Sequence, residues 1–371
     1  MDWNRCSAEE ALAWLRVCLV PGVPPAALRA LLAWAGSPCA LLRSNPREVA
    51  HVAGGEIARA FSRGADRRLV EASLRWLDAR DRHLVPLDDA CYPQPLLEVD
   101  HPPPILYVEG RLELLTAPAL AIVGSRNASP QGLRDAESFA AAISRARLAV
   151  VSGMALGIDA SAHRGALREA GSSIAILGTG PDIHYPRENE DLARALAVKG
   201  CLVSEFPLGT PPLARNFPRR NRLISGMSKG VLVVEAGFPS GTLTTARLAL
   251  EQGRDVFAIP GSIHSPLSKG CHALIKAGAK LVESADDVLA ELAGFRRSGS
   301  ADTQTSARQP AADRGLLAVM GHDPVDVDSL CTLANLSAEQ VASELLRLEL
   351  DGRVAALPGG LYQRLEKRGD A

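Results

Sequence analysis

The sequence predicts an α/β fold: a doubly wound, mostly parallel sheet, with a small helical domain before it and a second small domain, helical with a terminal hairpin, after it. Three observations carry this. Between Leu120 and Gly261, apolar runs of four or five residues repeatedly break into Gly- and Ser-rich loops followed by apolar residues at helical spacing, the pattern of strand, loop, helix units. At 371 residues the chain is long enough for several domains and a large core. Residues 295–310 are rich in Ser, Arg, Ala, Gln and Thr with almost no apolar side chains, which marks a flexible linker.

Residues 1–85 read as the first helical domain. Ser7 is placed to cap a helix running to Val17, with Glu9 and Glu10 in its first turn. Val20–Pro38 has a Gly turn leading into Ala27, Leu28, Leu31 and Leu32. This resembles a helix-hairpin-helix, but Pro24 stands where a backbone N–H would hold a phosphate, so a packing role is preferred. Helical spacing over Leu69–Arg80 assigns Trp76 to the core. Residues 86–294 form the sheet domain with a proline-rich lead-in, where Ile105–Val108 is expected as a short edge strand. Further strands are expected at Leu120–Val123, Leu148–Val151, Ile174–Leu177, Leu202–Ser204, Val231–Val234, Val256–Ile259 and Lys280–Val282. Residues 311–371 read helix, helix, helix, hairpin, the order of a winged helix. The helix that would read DNA, Ser337–Gly352, carries Glu339, Glu344, Glu349 and Asp351 against Arg347 alone, so protein contact is preferred for it.

Composition excludes several classes. The net charge is −1, so any nucleic-acid affinity must come from a local patch, and an aromatic content of 4% limits base stacking. The seven cysteines are scattered and never spaced C-x-x-C, which argues against a zinc site or disulfide framework and for a reducing compartment. No signal-peptide pattern opens the chain and no apolar run approaches the roughly 20 residues of a membrane span, so a cytoplasmic protein without a membrane partner is expected. There is no P-loop and no G-x-G-x-x-G. The second sheet strand ends in Val151-Ser152-Gly153 rather than in the acid that would hold a ribose.

The strand-end loops carry the candidate site. Gly124, Ser125 and Arg126 combine a tight turn, a hydroxyl and a forked cation suited to phosphate oxygens, and Ser129-Pro130 opens the next helix. Ser152 and Gly153 leave room for a phosphate. Gly178 and Gly180 allow close backbone approach, with Arg187 adding a cation. Arg215–Arg222 is the richest cationic segment. Within it Arg220 and Arg222 are the phosphate candidates, Phe217 stacks on a base or is buried, and Asn221 hydrogen-bonds a base or phosphate. Ser240, Gly241 and Thr242 open another helix as an anion site. Glu235, at a strand end, would be the acid of an enzyme. Asp159 and His163 lie four apart, and a structural role is preferred for them over acid–base work. The expected ligand is single-stranded DNA, with no catalytic residue, no metal and no cofactor.

The ordered motifs GSR (124–126), SGMALGIDASAH (152–163), LGTGPDIHYPRENE (177–190), SEFPLGTPPLARNFPRRNRLISGMS (204–228), VVEAGFPSGTLTTARLALEQGRDVFAIPG (233–261) and GCHALIKAGA (270–279) resemble the DNA-processing protein A (DprA/Smf) family, over about Cys91 to Val282. The resemblance implies an extended Rossmann-like sheet and an N-terminal domain that is sterile-alpha-motif-like or helix-hairpin-helix-like. It also implies homodimerisation, no catalysis, and loading of RecA recombinase onto incoming single-stranded DNA in natural transformation. By motif match it assigns DNA contacts to Arg126, Arg187, Phe217, Arg220, Asn221 and Arg222. The segment of His272, Leu274 and Ile275 resembles the family's self-association surface, and reads equally as an ordinary amphipathic helix. The alternatives are a nucleotide-metabolism enzyme cleaving an N-glycosidic bond with Glu235 beside the ribose, and a protein–protein adaptor.

Overall fold

The computed structural model describes residues 8–294 and 315–365, so the Ser7 cap and the linker of residues 295–310 lie outside the described residues. Among the described residues six helices come first: α1 (Ala8–Cys18), α2 (Pro25–Ala35), α3 (Pro38–Arg43), α4 (Pro46–Ala53), α5 (Gly55–Arg63) and α6 (Arg67–Leu77). Local signals start them. Asn45 and Glu48 form a capping box on α4, and Asp66 caps α6. Trp76 is buried, as its spacing predicts, and meets Tyr107 edge-on with ring centroids 5.9 Å apart.

The sheet domain runs β1 (Arg82–Pro86), β2 (Ile105–Gly110), β3 (Ala119–Val123), α7 (Pro130–Arg145), β4 (Ala149–Ser152), α8 (Ile158–Ala166), β5 (Ser173–Ile176), α9 (Glu190–Lys199) and β6 (Cys201–Ser204). It continues with α10 (Asn216–Gly226), β7 (Gly230–Val233), α11 (Gly241–Glu251), β8 (Asp255–Ala258), α12 (Lys269–Lys276), β9 (Lys280–Leu281) and α13 (Ala285–Gly294). The sheet order is β1-β2-β6-β5-β4-β3-β7-β8-β9, parallel from β6 to β9 and antiparallel at β1–β2 and β2–β6. β3 to β7 are buried at every position, as strands covered on both faces must be. The chain reverses its direction of travel between β3 and β7, and that switch point is where doubly wound sheets open a crevice.

The seven expected sheet strands are present within a residue or two at each end. Two findings correct the lead-in. Ile105–Gly110 is not an edge strand, because β1 pairs on one side of it and β6 on the other. The edge is β1, which the prolines had masked. Pro86 is its last residue, and the boundary expected after residue 85 falls inside it. A cluster of Trp14, Leu15, Val70, Trp76, Leu84, Ile105 and Tyr107 joins α1 and α6 to β1 and β2.

The last domain has α14 (Leu316–Val319), β10 (Val325–Asp326), α15 (Val327–Ala334), α16 (Ala338–Leu350), β11 (Val354–Leu357) and β12 (Leu361–Arg364), with the strands in antiparallel order β10-β12-β11. This is the expected winged helix. Gly359 and Gly360, both at positive φ, make the hairpin turn. Among the described residues, no helix is long and apolar enough to cross a membrane.

Candidate functional site

The carboxyl ends of β3, β4 and β7 converge on one loop. The Ser125 N–H donates to the Glu235 carbonyl at 2.8 Å, the Ile158 N–H donates to the Ser125 carbonyl at 3.1 Å, and the Thr242 hydroxyl donates to the Gly124 carbonyl at 3.0 Å. The Glu235 carboxylate accepts the Ser129 N–H at 2.9 Å and the Ser129 hydroxyl at 2.6 Å, pinning the start of α7 to the end of β7. Burial raises the Glu235 pKa, and the two Ser129 bonds oppose the rise. Held from both sides, the loop presents Arg126 to solvent. Among the described residues Arg126 has no ion-pair partner, and its guanidinium lies 5.9 Å from the centre of the Phe217 ring.

Phe217, half-buried in the first turn of α10, is the aromatic centre of the site. The Tyr185 ring lies 5.7 Å from it and is 45% exposed. Gly178 is required beneath it, since a Cβ there would stand 2.8 Å from the ring. The Asn216 amide donates to the Gly178 carbonyl at 3.1 Å and anchors the helix start, while the Gly180 N–H donates to the Thr210 carbonyl at 2.9 Å. Arg187, two residues beyond Tyr185, is exposed and has no ion-pair partner among the described residues. Arg126, Tyr185 and Phe217 thus line one rim, with Arg187 exposed two residues past Tyr185, and the sequence offered no sign that Tyr185 would pair with Phe217.

The other expected phosphate ligands are placed differently. Arg220 is 4% exposed and donates to the Gly153 carbonyl at 2.7 Å and to the Ile176 carbonyl, and its Nε–H donates to Asn221 at 3.3 Å. Burial pushes its pKa down to about 10 against the support of nearby Asp159. Asp159, also buried, accepts the N–H groups of Gly153 at 3.1 Å and Ala155 at 3.3 Å. The Ser152 hydroxyl is fully buried and donates to the Ile122 carbonyl at 2.6 Å. Ser152, Gly153 and Arg220 therefore form a floor that ties β3, β4 and β5 together beneath the rim. Arg222 is paired at 2.5 Å with Glu205, which also takes Arg219 at 3.2 Å. Sequence reasoning missed Glu205, whose only signal is an acid directly after a buried strand. Ser240 and the exposed Gly241 open α11 beside Gly124, and the Ser240 hydroxyl has no partner among the described residues.

Asp159 and His163 do not pair. The His163 ring is fully buried with Nδ1 2.7 Å from the Ser173 hydroxyl, and burial, with Arg220 and Arg164 adding to it, pushes its pKa down to about 3. The role is structural, and it has a pH signature. The unfolded imidazole titrates near ~6.5. The stability His163 contributes is therefore complete above that pH and is lost as pH falls toward 3, at no more than about 1.4 kcal/mol per pH unit. Urea midpoints measured from pH 7 to 4 should fall, and His163→Gln should flatten the decline; an unchanged slope would refute it.

In α12, His272 Nε2 donates to the Gly261 carbonyl at 2.9 Å, and Leu274 and Ile275 are half-buried against the main core. Among the described residues, no group of three or more His, Cys, Asp or Glu side chains is arranged to hold a metal ion.

Known proteins resemble this chain in sequence and in fold. The family profile described as DNA recombination-mediator protein A matches residues 83–293, and that of the DprA winged helix domain matches residues 300–360. Protein Smf of Escherichia coli is 45% identical over 310 residues, covering 81% of this chain and 82% of its own length. DNA processing protein DprA of Streptococcus pneumoniae is 48% identical over 205 residues, covering 55% of this chain and 72% of its own. The X-ray structure of DNA processing protein A from S. pneumoniae superposes with a TM-score of 0.66 at 36% identity, covering 78% of this chain and 99% of that one. DNA processing protein A from Helicobacter pylori, whose structure is described for its single-stranded DNA binding mode, superposes with a TM-score of 0.53 at 27% identity, covering 57% of this chain and 96% of that one. With profile, relatives and sheet architecture in agreement, the chain belongs to the DNA recombination-mediator protein A family.

Proposed function

We propose that the protein binds single-stranded DNA along the carboxyl ends of β3 to β5 and acts as a recombination mediator, protecting incoming strands and loading RecA recombinase on them in natural transformation, as a homodimer and without catalysis or a cofactor. The observation that carries the binding site is the rim itself: beside the Tyr185–Phe217 pair, above a floor of buried polar groups, stand Arg126 and, two residues past Tyr185, Arg187, both exposed and without ion-pair partners among the described residues. Forked cations hold phosphates, and an exposed ring accepts a base of any sequence. The single-stranded DNA binding mode described for the H. pylori relative and the recombination-mediator description of the family support the reading. Glu235, the candidate acid of an enzyme, has both carboxylate oxygens engaged by Ser129, which favours the non-enzymatic reading.

Fluorescence anisotropy with labelled oligo-dT tests it. Arg126→Ala should weaken binding and reduce the slope of log affinity against log salt by about 0.7, the value for one lost phosphate contact on a single strand. Unchanged affinity and slope would remove Arg126 from the site. Release of free base from nucleotides, abolished by Glu235→Gln, would overturn the non-enzymatic reading.

A further inference from the structure

The N-terminal helical domain carries a concentration of positive charge that the site above does not use. Between residues 43 and 75 there are seven arginines (43, 47, 59, 63, 67, 68 and 75) and four carboxylates (48, 56, 66 and 71), in a chain whose net charge is −1. All seven arginines are exposed, and among the described residues none has an ion-pair partner. Two of the four carboxylates are already committed to backbone amides, Glu48 in the capping box of α4 and Asp66 as the cap of α6. The group closest along the chain lies where α5 gives way to α6. Arg59 and Arg63 are one turn apart on the exposed face of α5, and a three-residue connection, Gly64 to Asp66, brings in Arg67 and Arg68 at the start of α6.

This placement works against the helix that bears it. The first turn of a helix is the positive end of its dipole, where a cation costs about 0.3–1 kcal/mol. Arg67 and Arg68 sit there with only the carboxylate of the Asp66 cap beside them, and that carboxylate is already taken by the Arg68 N–H. Four exposed forked cations within ten residues of chain, without an ion-pair partner among the described residues, match a polyanion with regularly spaced phosphates. No aromatic side chain lies exposed among them, so the contact has no means of reading or stacking bases.

We infer that the α5–α6 corner is a second, sequence-independent contact for the phosphodiester backbone of DNA, formed by Arg59, Arg63, Arg67 and Arg68. It rests on the single-strand reading only in its identification of the backbone's origin: a continuation of the strand held at the sheet ends, or a separate duplex. The two origins predict different dependence on length and strandedness.

The test uses the full chain, as wild type and as the triple variant Arg63→Ala/Arg67→Ala/Arg68→Ala, with melting temperature confirming that the exposed substitutions leave the fold intact. Three probes are titrated: an oligo-dT of about 8 nucleotides, which fills one site of ordinary size, one of about 40 nucleotides, and a duplex of the longer length. If the strand continues from the sheet, the variant keeps its affinity for the short probe and loses about tenfold for the long one, with a salt slope shallower by about 2 for three lost contacts. If the corner takes a separate duplex, the loss falls on the duplex probe. Replacement of the three arginines by lysine should retain most of the affinity, since charge is the requirement. Equal affinities and slopes of wild type and variant on the long strand and the duplex overturn the proposal. A short probe that fails to bind wild type counts against the sheet-end site alone, because the other two probes still report on the corner.

Discussion

Replacing Arg220 by alanine is expected to cost the fold about 3–5 kcal/mol, because it strands buried acceptors and removes the cation whose field offsets the buried Asp159 carboxylate. The guanidinium is 4% exposed and joins the ends of β4 and β5 through the Gly153 and Ile176 carbonyls. Its removal strands two carbonyls and leaves Asp159 buried with only the N–H groups of Gly153 and Ala155. Urea denaturation should show the loss as a lower midpoint. Adding Asp159→Asn to the variant should recover part of it, because the uncompensated charge is then gone. The penalty should also shrink toward acid pH, where Asp159 protonates. A fully folded Arg220→Ala protein with a wild-type midpoint would mean that the guanidinium is not integral to the sheet.

Gly157→Ala is expected to deform the rim as well as weaken the fold. Gly157 has φ +77°, and a Cβ there would stand 2.3 Å from the Ser125 carbonyl oxygen and 2.6 Å from that of Arg126. This positive-φ backbone, with ψ −126°, costs a residue with a side chain about 1–3 kcal/mol, and the overpacking adds about 1–3 kcal/mol. Both obstructing atoms are backbone, so no rotamer change relieves the clash. The loop that presents Arg126 must move instead. Stability and single-strand affinity should therefore fall together, while Gly22→Ala, also at positive φ but with nothing within 4 Å of its added Cβ, should affect stability alone. Wild-type affinity in a destabilised Gly157→Ala protein would show that the rim does not depend on this loop.

Much of the architecture was legible because parallel strands covered on both faces must be continuous apolar runs, and Leu120–Val123 and Val231–Val234 are such runs. β1 was not legible. Arg82-His83-Leu84-Val85-Pro86 mixes polar residues and a terminal proline, and it becomes a strand only because β2 lies beside it. The candidate site divides in the same way. Arg126 and Phe217 are placed by local chemistry, a glycine turn and a helix start. The difference between exposed Arg126 and sequestered Arg222 depends on Glu205, 17 residues earlier in the chain and brought close by the sheet. Arginines were identifiable as cations, but their partners were set by tertiary pairing.

Because Trp76 and Tyr107 close one apolar cluster across α6, β1 and β2, the helical domain is not a tethered appendage that swings. Its arginine corner is carried at a fixed bearing from the strand ends, by a spacer made of packed protein rather than of chain. A strand that touches both contacts spends no entropy on ordering a linker between them, since that cost was met when the protein folded. Dissociation from one contact leaves the backbone held beside it by the other, so residence time, more than the rate of capture, is what such rigid spacing lengthens.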